Sequence, residues 1–89
     1  MEQTFENAER LGLEARAAYR AGELPSAIIR RTFARVPNSI FLIMVFRAAF
    51  GLSLPQCKAA SAFWGQRGAE DMDDDAMDAY LRPLIDELR

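Results

Sequence analysis

Histidine is absent from the 89 residues, and cysteine occurs once, at Cys57. Its absence removes the commonest general base, the serine and cysteine triads and most zinc sites. The five glycines are scattered rather than gathered into a phosphate-binding loop. Catalysis is therefore not expected, and no cofactor is implied. What remains able to do chemistry is charge. Six acids fall within nine residues, Glu70, Asp71, Asp73, Asp74, Asp75 and Asp78. Such a field steers a basic partner and strengthens its encounter at low salt. An alternative basic surface precedes it, made of Arg30, Arg31, Arg35, Arg47 and Lys58, and cations so grouped suit phosphates. Asp71, Asp73 and Asp75 reproduce the opening of a calcium loop. Ala76 then stands where glycine is needed, and Arg82 where a bidentate glutamate is needed. No metal site is expected.

The net charge of −2 hides three zones. Residues 1–23 carry −2, residues 24–69 carry +6 with no acid at all, and residues 70–89 carry −6. One reading pairs the basic middle with the acidic end across the fold. A second leaves the acidic segment free to occupy a phosphate-binding cleft on a basic protein, as an inhibitor of a nuclease would. A third places Arg30, Arg31 and Arg35 on nucleic acid. Against the third, the segment Leu54 to Gln66 lacks the Arg, Asn and Gln that read base edges.

The elements that position these charges are helical. Thr4 caps a first helix from Phe5 to Ala21, ended by Gly22, with Phe5, Ala8, Leu11, Gly12, Ala15, Ala18 and Tyr19 on one stripe. Leu13 lies off that stripe. Pro25 opens a second helix that Val36-Pro37 closes. Ser39 caps a third, the apolar run Ile40 to Phe50, with Gly51 at the left-handed stop. Ser53 and Gln56 form a capping box for a fourth helix reaching about Gln66, with Leu54, Cys57, Ala60, Ser61 and Trp64 inward. Leu52 and Cys57 are placed to staple its start, and Cys57 reads as a small core residue. Asp73 caps a last helix, Asp74 to Leu88, which Pro83 is expected to kink or break near Leu81–Arg82. Phe63, Leu13 and Phe41 are candidates for an exposed apolar patch.

The expected fold is all-α: a single domain over residues 1–89, a bundle of about five short helices around a central hairpin. The first residues, MEQTFENAER, are acidic and polar rather than leader-like, and the apolar run is far short of the ~18 residues a membrane span needs. A cytoplasmic protein is expected.

Within the hairpin, Ile43-x-x-Phe46-Arg47-x-x-x-Gly51-Leu52-x-Leu54-x-x-x-Lys58 resembles the helix–turn–helix of the bacterial ribosomal stalk protein's C-terminal domain. Ser53 replaces a turn glycine, and the flanking strands of that domain are lacking. The resemblance implies an adaptor that docks a partner around Arg47 and Lys58. In size and helicity the whole chain resembles small bacterial toxin-immunity proteins. That implies a non-catalytic inhibitor meeting a basic toxin domain with Glu70, Asp71, Asp73, Asp74, Asp75 and Asp78. A small helix-turn-helix nucleic-acid binder is the further alternative.

Overall fold

In the computed structural model, which describes residues 3–87, the chain forms α1 (Phe5–Arg20), α2 (Pro25–Arg35), α3 (Ser39–Phe50), α4 (Leu54–Ser61) and α5 (Asp74–Glu87). A single 3-10 turn, Ala69–Asp71, sits between α4 and α5. No strand occurs among the described residues, and the all-α expectation holds. The Cα radius of gyration is 11.6 Å. One folded domain of this length should have about 12 Å, so the helices close around a single core.

Local chemistry sets most of the helix ends. The Thr4 hydroxyl accepts from the Asn7 amide at 3.2 Å, and Asp73 Oδ1 accepts from the Ala76 amide at 3.2 Å. Each satisfies a donor that a first turn leaves unpaired. The capping box is complete: Ser53 Oγ accepts from the Gln56 amide, and Gln56 Oε1 accepts from the Ser53 amide. Gly51 adopts φ 69° at the end of α3, the left-handed stop expected there. At the other end of α3 the cap is Asn38 rather than Ser39. Its side chain accepts from the Phe41 amide at 3.0 Å, and Ser39 becomes the first helical residue.

Helix α3 is the core. Phe41, Leu42, Val45, Phe46, Ala49 and Phe50 are buried, and Ile43 and Met44 are half-buried. Phe41, expected as an exposed candidate, is 1% exposed because it falls on the side covered by the other helices. Phe63 is half-buried too, its ring 5.8 Å from that of Tyr80. Leu13 does lie outside, at 67% exposure. Phe5 departs from its stripe: at the first turn of α1 it overshoots the core and is 78% exposed. Leu54 likewise faces out rather than in.

Helix α4 ends at Ser61, short of Gln66, because the chain must turn back toward α5. Gly65 and Gly68 make that turn. A Cβ on Gly65 would lie 2.3 Å from Asp71 Cβ, and Gly68 has φ 68°. Helix α5 runs through Pro83 unbroken to Glu87, and the expected stop at Leu88 lies outside the described residues. Pro83 and Ala79 are both exposed, so water can solvate the Ala79 carbonyl that Pro83 leaves unbonded. Buried Met77, Leu81 and Ile85 hold the opposite side in place.

Three contacts fix the packing. Gly12 lets α1 approach α3 closely: a Cβ there would lie 3.0 Å from both Ala48 Cβ and the Ala49 amide nitrogen. Arg16 then donates from Nε to the Ala49 carbonyl at 2.8 Å, satisfying an acceptor in the last turn of α3. Helix α2 has no side-chain cap of its own, since Leu24 occupies that position. Asp78 of α5 supplies one from 52 residues away. Its carboxylate accepts from the Ser26 amide and the Ser26 hydroxyl, each at 2.8 Å.

Gly12→Val should lower the unfolding free energy by about 1–3 kcal/mol in a urea titration, because backbone stands in the way of the added atoms. Leu13→Val, on the outer side, should leave the midpoint unchanged. Asp78→Ala should cost about 2 kcal/mol, since it orphans a buried amide and hydroxyl at the positive end of a helix. Asp78→Asn should recover part of that loss in the same titration.

Candidate partner-docking surface

The structure brings much of the acidic segment and the basic middle together. Arg30, on α2, clamps the start of α5. Its Nε and Nη2 donate to Asp74 Oδ1 at 3.0 and 2.8 Å. Nη1 reaches the Glu70 carbonyl at 2.9 Å, and Nη2 also reaches the Met72 carbonyl at 3.1 Å. Arg67 holds Asp71 with Nη2 at 2.9 Å and with its backbone amide at 3.2 Å, and lies 3.8 Å from Glu70. Asp73 is engaged as the cap of α5, and Asp78 is 9% exposed under Ser26. Asp75 alone of the six has no ion-pair or hydrogen-bond partner among the described residues.

The hydrogen bonds from Arg67 hold the Asp71 carboxyl below its ordinary value of 3.8, helped by the Arg67 backbone amide and opposed by partial desolvation. A carboxyl depressed in the folded state contributes stability above its unfolded pKa and loses it as pH falls through the folded one. The contribution of Asp71 should therefore persist through neutral pH down to 3.8 and vanish only below it. A carbon-detected NMR titration should place the Asp71 midpoint below 3.8 in the native chain, and Arg67→Ala should raise it toward that value without reaching it, because the backbone amide of residue 67 and Arg30 remain.

The basic candidates divide. Arg30 pairs with Asp74, Arg31 with Glu23, and Arg35 with Glu14 at 3.0 Å. Arg47 and Lys58 have no ion-pair partner among the described residues. They stand on the two arms of the hairpin, Arg47 on the outer side of α3 and Lys58 on α4, both exposed. Arg47 is close enough to oppose, in part, the upward shift that burial imposes on the Cys57 thiol. That thiol is buried and uncharged at neutral pH, in keeping with a packing role.

Beside Arg47 runs a groove of about 370 Å³ between α1 and the hairpin, lined by Phe5, Glu9, Met44, Arg47, Ala48, Gly51 and Leu52. Periodicity places Phe5 inward, so the groove is not legible from the sequence. The signal that could have found it is position: the first residue of a helix lies furthest from the centre of its contact. A second, smaller space of about 20 Å³ is lined by apolar side chains including Leu52 and Cys57, the two residues expected to staple α4. Trp64 lines it as well, and its indole Nε1 is buried without an acceptor among the described residues.

Among the described residues no group of three or more His, Cys, Asp or Glu converges on a metal position, and no helix is long and apolar enough to cross a membrane. Compared with known proteins, the chain matches no family model, no curated protein and no solved structure.

Proposed function

We propose that this chain is a non-catalytic protein-binding module that docks its partner on the outer face of the α3–α4 hairpin, with Arg47 and Lys58 as the contacting cations. One observation carries the reading. Of the bases between residues 24 and 69, these two lack an ion pair among the described residues, while Arg30, Arg31, Arg35 and Arg67 are neutralised within the chain. Exposed Leu54, one helical turn before Lys58, adds apolar contact beside the charge. The matching partner presents carboxylates next to an apolar patch.

The reading accords with the resemblance of residues 43–58 to the ribosomal stalk hairpin, in which basic residues at the corresponding places dock translation factors. An immunity-type role fits within it, with a toxin domain as the docked protein. Docking through the acidic segment has less to offer a partner. Glu70, Asp71, Asp73, Asp74 and Asp78 are all engaged within the chain, which leaves Asp75. Nucleic-acid binding through Arg30, Arg31 and Arg35 meets the same obstacle, since each already holds a carboxylate.

The test is capture from host lysate on immobilised wild type, on the Arg47→Glu, Lys58→Glu double variant and on Asp75→Lys. A protein held by wild type and by Asp75→Lys, with retention reduced at least about tenfold on the double variant, supports the reading. Loss on Asp75→Lys alone assigns docking to the acidic segment. Nuclease-sensitive recovery of nucleic acid assigns the function to the basic face of α2. Each of the last two outcomes overturns the hairpin.

A further inference from the structure

The groove beside Arg47 carries one charge of each sign around an apolar centre. Glu9 belongs to α1 and Arg47 to α3, and although both line the groove they form no ion pair with each other or with any other described residue. The rest of the lining is uncharged, Met44, Ala48, Gly51 and Leu52, and Phe5 has 78% of its surface in water. Phenylalanine is among the residues enriched at the cores of protein interfaces.

We propose that two copies of this chain pair through this groove about a two-fold axis. Phe5 of each copy lies against Ala48 and Gly51 of the other, and Glu9 of each faces Arg47 of the other. The argument is complementarity. In a two-fold pairing a patch meets itself, so each residue must find its match within the same patch. A foreign acidic segment in this groove would satisfy Arg47 and oppose Glu9, and a basic one would do the reverse. A second copy satisfies both. Two of the lining residues, Ala48 and Gly51, carry little or no side chain, and Gly51 cannot be enlarged without strain at its φ of 69°. The inference rests on the reading of the hairpin as a docking surface. It assigns the Arg47 side of that surface to a second copy, and leaves Lys58 and Leu54 of each copy open.

Sedimentation equilibrium tests it. The wild-type chain should approach twice its 10.0 kDa with rising concentration. Glu9→Arg or Arg47→Glu alone should weaken association about tenfold, because symmetry makes each substitution act twice. The two together should restore it to within about twofold, since the reversed pair is again matched. Phe5→Ser should abolish it. All three positions are exposed, so the circular dichroism spectrum should be unchanged. A chain still monomeric at about 1 mM, the weak limit of useful affinity, overturns the proposal. So does a dimer indifferent to either reversal, or a double variant no tighter than the single ones. A monomer that captures a partner through Arg47 and Lys58 sinks the dimer and leaves the docking reading standing. A dimer whose hairpin reversal releases no other protein does the opposite.

Discussion

Helix α3 is apolar on nearly every side, and a short chain has few ways to cover such a helix. Burying a side chain the size of Leu, Ile or Phe contributes roughly 1.5–3 kcal/mol, so every turn of α3 left in water is a large fraction of a small domain's net stability. The other helices are arranged to wrap it. Helix α1 lies closest, because Gly12 removes the side chain that would hold the backbones apart. What escapes the wrapping is a narrow outer strip including Ile40, Arg47 and Ala48. The same strip forms one wall of the groove, so the place where the core helix reaches the surface is also the place with unmatched chemistry.

Charge serves a different purpose elsewhere in the fold. Exposed ion pairs contribute little each, and those at Arg31, Arg35 and Arg67 are of that kind. Their effect is positional: Arg67 closes its loop onto Asp71. Arg30 goes further, since one guanidinium engages a side chain and two backbone carbonyls at the joint between the 3-10 turn and α5. Asp78 is the stronger tether. It places a buried carboxylate at the positive end of α2, where two donors and the helix dipole compensate its desolvation. These links decide how α5 lies along α2. The apolar stripe of α5 supplies adhesion without fixing register.

Features that depend on neighbouring residues were legible in the sequence. The Thr4 cap, the Ser53–Gln56 box, the Gly51 stop and the Asp73 cap each need only a few residues of context. Periodicity also placed Ala8, Leu11 and Ala15 in the core. Features that depend on distant partners were not legible. Asp78 looked like one more surface acid, and nothing at Ser26 announces that the two meet across 52 positions. Phe5 shared the period of its stripe, yet the period says nothing about where the neighbouring helix ends. Pro83 looked like a break because the rule against it concerns the backbone alone. Its exposed side and the buried stripe opposite decide the outcome.

The acidic segment shows why a cluster of charge in a sequence is an ambiguous sign of function. It keeps a net negative charge in the fold, since Arg30 and Arg67 offset only part of it, and that field attracts cations from about a Debye length away. Contact is another matter. A partner's lysine or arginine reaching Asp71 or Asp74 must displace a guanidinium already bonded there, exchanging one ion pair for another. At Asp78 it must also expose the first turn of α2. Arg47 and Lys58 impose no such exchange, because a carboxylate brought to them breaks nothing within the chain. Long-range attraction and the capacity for new short-range contacts thus do not coincide on the acidic segment. On the hairpin two exposed cations have no ion pair with any described residue, so a carboxylate reaching them adds contacts without replacing any.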